Sequence, residues 1–126
     1  MEKRIRLSIG TMIVLLLCLL SSQDCFAQSD YFAKRATEYT REAEYYQKKA
    51  DSYRREAQYY LKKAESYERE AAYYTKKGNI SNANTQSRYA KTARENYATQ
   101  MKYAKQADER AADYLRQART ALSRCK

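Results

Sequence analysis

Residues 39–77 read YTREAEYYQKKADSYRREAQYYLKKAESYEREAAYYTKK, a segment in which one pattern returns every 14 residues. The tripeptide Arg-Glu-Ala begins at positions 41, 55 and 69, and each copy is followed by a tyrosine pair and then a lysine pair. Fourteen residues make two heptads, the period of a helix that packs along one stripe. The repeat therefore predicts one long α-helix.

Small and large side chains alternate along the predicted stripe. Heptad position a holds Ala36, Ala43, Ala50, Ala57, Ala64 and Ala71. Position d holds Phe32, Tyr39, Tyr46, Tyr53, Tyr60, Tyr67 and Tyr74. Unbroken heptads without Gly or Pro predict a helix over about residues 31–77, roughly 70 Å long at about 1.5 Å per residue.

A turn and a second helix follow. Gly78 can adopt the left-handed conformation that closes a helix, so we expect a turn over 78–81, with Asn79 or Ser81 capping the next helix. A second heptad stripe predicts a helix over about 82–124. Its members are Ala83, Gln86, Ala90, Ala93, Tyr97, Gln100, Ala104, Ala107, Ala111, Tyr114, Ala118, Ala121 and Cys125.

The two stripes complement each other when the chain folds back at the turn. Stripe residues whose numbers add to 157 then pair, as Tyr67 does with Ala90 and Ala43 with Tyr114. Most layers place a ring against a small residue, whereas parallel self-pairing would stack tyrosines at every d layer. The predicted fold is all-α, with two long antiparallel helices forming a coiled-coil-like hairpin that occupies residues 28–126.

The sequence around the turn resembles a single tetratricopeptide repeat. The matching residues are Tyr67, Ala71, Tyr74, Gly78, Asn79, Ile80, Ala83 and Ala90. The resemblance covers about 34 residues and implies a tight helix–turn–helix. Ser87 replaces the family's usual aromatic residue, Glu95 replaces its proline, and no second copy follows, which argues against a peptide-binding solenoid.

Residues 1–27 have the pattern of a signal peptide. Three basic residues precede an apolar stretch over residues 7–20, and small residues at Cys25 and Ala27 mark a cleavage site before Gln28. We expect a secreted or periplasmic protein with no transmembrane span after cleavage, and a retained anchor is the alternative. Cleavage would remove two of the three cysteines and leave Cys125. We expect Cys125 to form an intermolecular disulfide, to remain a free thiol, or to serve as a small apolar residue at the helix end.

The composition argues against catalysis. The chain has no His and no Pro and only two Gly, so the commonest general base and metal ligand and the glycine-rich phosphate loop are all missing. We predict no enzyme activity, cofactor or metal. Beyond residue 27 there are 22 Lys and Arg against 13 Asp and Glu, a net charge of +9, which makes anionic partners plausible.

A basic row follows heptad position f of the first helix. We call Lys48, Arg55, Lys62 and Arg69 the f row and predict that they form a candidate anion-binding site. Glu44, Asp51 and Glu65 precede Lys48, Arg55 and Arg69 by four residues, a spacing that favours ion pairs and partial cancellation of the charge. The alternative interpretation is that the row is an ordinary solvated face of the helix.

Extra tyrosines stand beside the seam at heptad position c. We call Tyr45, Tyr59 and Tyr73 the c row. These rings widen the aromatic face beyond what one partner helix covers, and we therefore predict that they form an assembly face.

Two functions follow from the pattern. The first is an exported structural or adapter protein that assembles with itself or with another envelope or secreted protein. The alternative is a binder of acidic glycans or envelope phosphates, with nucleic acid ranked below both.

Overall fold

The computed structural model describes residues 27–124, with side chains from residue 30 onward. Helix α1 spans Ala27–Lys76 and helix α2 spans Ile80–Ser123. The two helices pack against each other as an antiparallel hairpin, and the described residues include no β-strand. The predicted all-α hairpin is confirmed. The signal segment, apart from Ala27, and Cys125 lie outside the described residues.

The chain folds as two compact units. One, the turn unit, is residues 48–108 and contains the turn; the other, the terminal unit, combines the described residues 27–47 and 109–124. No stretch within the described helices is long and apolar enough to cross a membrane.

The seam of both units is built from alanine. In α1 the a-position alanines from Ala36 to Ala64 are fully buried, whereas Ala71 is half-buried. The α2 alanines at the seam are also buried, and the d-position tyrosines are half-buried. Alanine occupies little space, so the helices approach closely and the rings cover the seam from its edges.

Ring contacts show the pairing of the helices within each unit. In the terminal unit Tyr114 lies against Tyr39 and Tyr46, the rings on either side of Ala43, which is its predicted partner. The centroids of Tyr46 and Tyr114 are 5.7 Å apart, with their planes 13° from parallel. In the turn unit Tyr67 contacts Tyr89, the neighbour of the predicted partner Ala90.

Two buried side chains of the terminal unit lie beside the predicted seam. Thr40 is 2% exposed and its hydroxyl donates a 2.8 Å hydrogen bond to the carbonyl oxygen of Ala36, so its burial leaves no polar group without a partner. Leu115 is buried with Ala43, and Leu122 packs against them. All three occupy heptad position e, which the alanine-and-tyrosine pattern overlooked.

The turn is closed by backbone and side-chain hydrogen bonds. The Asn79 amide donates to the carbonyl of Tyr74 (2.9 Å) and the Gly78 amide to that of Thr75 (3.1 Å), the pair that defines a Schellman motif. Gly78 has a φ of +74°, as predicted. The Asn79 side chain then accepts a 3.2 Å bond from the Asn82 amide, so Asn79 caps α2.

Replacement of Gly78 tests the turn. A β-carbon there would meet nothing within 4 Å, so Gly78→Ala introduces backbone strain without a steric clash. We expect a loss of about 1–2 kcal/mol in the free energy of unfolding, measured by chemical denaturation. Gly78→Asn should lose less, because Asn tolerates the left-handed region better; equal stability of all three proteins would contradict this account.

Candidate functional site

The four f-row cations lie on α1 within the turn unit, away from the seam. All four side chains are exposed, and successive members are seven residues, or about 10 Å, apart along the helix. Their side chains make no hydrogen bond or ion pair with any residue in the described part of the chain. The structure therefore presents them as a row of solvated positive charges.

The expected ion pairs between the f row and the carboxylates four residues earlier are absent from residues 30–124. Asp51 instead accepts a 3.0 Å bond from Arg54, and Glu65 lies in the electrostatic field of Arg94. Arg54 and Arg94 occupy position e, which lies at the edge of the seam. Their planar guanidinium groups bind carboxylates directly there. No direct ion pair therefore joins these carboxylates to the f row in the described part of the chain.

Two ion pairs join the helices of the turn unit. Arg94 donates from Nε and Nη2 to the two carboxylate oxygens of Glu68, at 2.5 Å and 3.0 Å. Arg54 likewise pairs with Asp108. All four residues hold position e, one step outside the predicted seam, so these pairs were not recognised from the sequence. Opposite charges on the e rows of the two helices were the available signal.

The pKa values of the two carboxylates are shifted in opposite directions from their ordinary values. The hydrogen bonds from Arg94 lower the pKa of Glu68. Burial raises the pKa of Asp108, because loss of hydration outweighs the attraction of Arg54, and Asp51 adds a like charge nearby. The Glu68 pair thus contributes stability above the pKa of the unfolded chain, whereas ionised Asp108 costs stability at neutral pH.

Two charge-removing variants test these opposite signs. Glu68→Gln should lower the Tm at pH 7, and its deficit should disappear as the pH falls through the lowered pKa of Glu68, which lies below the ordinary range of a glutamate. Asp108→Asn should raise the Tm at pH 7, and its advantage should shrink as the pH falls through the raised pKa of Asp108. Equal losses of Tm at pH 7 in both variants would show that the Arg54 attraction exceeds the cost of burial.

The c-row tyrosines also lie on α1, Tyr45 in the terminal unit and Tyr59 and Tyr73 in the turn unit. Tyr45, Tyr59 and Tyr73 are 55%, 52% and 56% exposed. Each ring lies edge-on against the half-buried d-position ring that follows it, with Tyr59 and Tyr60 centroids 5.4 Å apart. The exposed rings are therefore supported from below by the rings that cover the seam.

Lysines at heptad position g lie over two of these rings in the turn unit. Lys63 Nζ is 5.0 Å from the centroid of Tyr59, and Lys77 Nζ is 5.7 Å from that of Tyr73. A hydrogen bond with Tyr59 raises the pKa of Lys63, and the ammonium is charged at neutral pH. Each of the two rings consequently has a cation in contact with it.

Helix α2 adds two exposed rings that do not belong to its heptad stripe. Tyr89 and Tyr103 are 51% and 42% exposed, and they contact the d-position rings Tyr67 and Tyr53 at 5.4 Å and 5.5 Å. Both immediately precede a seam alanine and are themselves 14 residues apart. That shared spacing was the signal for a second, shorter row of tyrosines.

The terminal unit has an open groove of about 650 Å³ between its helices. Its three arginines are already engaged, as Arg35 pairs with Glu38, Arg116 pairs with Asp113, and Arg124 lies over Phe32. The groove therefore lacks the solvated cations that distinguish the f row. In the described part of the chain, no group of acidic, His or Cys side chains is arranged to hold a metal.

No family model, curated protein or solved structure matches this chain.

Proposed function

We propose that this is an exported, non-catalytic structural or adapter protein that acts through protein–protein assembly. The observation that carries the proposal is the c row, three tyrosine rings that remain more than half exposed on an otherwise polar helix. Tyrosine is enriched at protein interfaces because its ring provides contact area and its hydroxyl a hydrogen bond. The partner is a second copy of the chain or another envelope or secreted protein.

Light scattering on residues 28–126 tests assembly. We expect a dimer or higher oligomer, and replacing Tyr45, Tyr59 and Tyr73 together with Ser should shift most of the protein to monomer, because the interface would lose its rings. Loss of the oligomer under reductant alone would assign the contact to Cys125. A wild-type monomer at both low and moderate salt would contradict self-assembly.

A second candidate function, the binding of acidic glycans or envelope phosphates, is favoured by a separate observation. The f-row cations make no ion pair among the described residues, so a ligand would gain their full charge without first breaking an internal contact. Assembly would bury the c row and an anion would occupy the f row, and these are two adjacent rows of α1. The two functions are therefore compatible.

Salt-dependent binding to dextran sulfate tests the second candidate. Replacing the four f-row residues with Gln should reduce the slope of log K against log salt by about 3, because each lost contact removes about 0.7–0.9. The matched control removes four exposed cations of α2 in the same unit, Arg88, Lys91, Lys102 and Lys105. An equal fall in slope in both variants would show that net charge, and not the row, binds the polymer.

A further inference from the structure

We propose that the two 14-residue repeats of the turn unit each carry a complete subsite for an acidic polysaccharide, made of one exposed tyrosine ring and the cations around it. The inference rests on the second candidate function and adds the rings to the ligand site. It also assigns the site a spacing, because the same arrangement recurs along one helix.

The turn unit contains two copies of the arrangement. Residues three and four positions apart are neighbours on a helix. The ring of Tyr59 therefore has Arg55, Lys62 and Lys63 beside it with one carboxylate, Glu56. The ring of Tyr73 has the same surroundings, which are Arg69, Glu70, Lys76 and Lys77. Three cations and one carboxylate leave a net charge of +2 around each ring.

Both rings are held in place before any ligand arrives. Each is supported edge-on by the next tyrosine of the chain, with centroids 5.4 Å apart for both pairs. A lysine Nζ lies over each ring, and the f-row cations on the other side have no internal partner among the described residues. An anionic group would thus meet a positioned ring and solvated cations without reorganising the helix.

The charges decide which occupant fits this face. A second copy that applied the same face would bring clusters of like charge together, at separations below the Debye length of about 8 Å at physiological salt. An anion is instead attracted to both sides of each ring. The rings of Tyr59 and Tyr73 therefore fit an anionic occupant, and a second copy can meet them only with a different, acidic part of its surface.

The spacing of the rings decides which polyanion fits. Tyr59 and Tyr73 are 14 residues, or about 21 Å, apart on α1. Platforms that stack successive bases of a nucleic acid need rings much closer together. An acidic polysaccharide carries an apolar C–H face and an anionic group on its repeating units, which matches a ring flanked by cations at separated points along the chain.

Length dependence follows from the same spacing. A sulfated chain shorter than about 21 Å engages one subsite, whereas a longer chain binds the second subsite at a high effective concentration. We expect the affinity to rise by at least about tenfold once the chain spans both rings.

The experiment measures the binding of sulfated dextran fragments of graded length to the full chain. Tyr59→Ser with Tyr73→Ser should lower the affinity for long fragments by at least about tenfold and remove the length step. The corresponding Phe variants should restore both. The control, Tyr89→Ser with Tyr103→Ser, removes two other exposed rings that have no cation three or four residues away, and should leave the affinity unchanged. Circular dichroism confirms that each variant is helical.

Each alternative outcome overturns a defined part of the proposal. Binding that depends on the f row but not on Tyr59 and Tyr73 would reject the ring subsites and leave the anion-binding function standing. Ring-dependent binding of a single-stranded oligonucleotide, with none of sulfated dextran, would reject the polysaccharide. Absence of binding to both probes would reject the subsites and the second candidate function together, while the light-scattering result for assembly would be unaffected.

Discussion

The structure depends on the close approach of two helices across alanine. Because the a positions from Ala36 to Ala64 present only a methyl group, the backbones come close and no large side chain fits between them. The d-position tyrosines are displaced to the edges of the seam, where they are half-buried with their hydroxyls near water. A seam of this kind buries little apolar area per layer, so the ring contacts at its edges form a large part of the packing.

The 14-residue repeat couples this packing to the surface. A c-row ring such as Tyr59 rests on a d-position ring, Tyr60, and the d-position ring covers the seam. Cations at positions f and g surround the exposed ring with the same period. One repeated unit therefore specifies the seam, its aromatic cover and a basic aromatic surface together. Both proposed functions use that surface, and in both its partner is expected to carry negative charge where it meets the cations.

Two carboxylates of the turn unit serve the contact between its helices. Glu68 and Asp108 form ion pairs with the partner helix, and the f row makes no direct ion pair in the described chain. These pairs also make the hairpin respond to pH in two directions, since hydrogen bonds lower the pKa of Glu68 and burial raises that of Asp108. Their position at the edge of the seam places structural acids on one flank of the hairpin and solvated bases on its outer face.

The sequence by itself determined the helices, the turn at Gly78, the alanine seam and the rows of tyrosines and bases, because a heptad period and a glycine with left-handed φ act within one helix and its end. Only the tertiary structure decided which side chains the partner helix engages. Leu115 is buried, Arg94 binds Glu68, and Arg54 binds Asp108. These choices depend on distances and rotamers across the helix pair. The periodicity of one helix does not predict these contacts, because the partner helix competes for the same charged groups at short range.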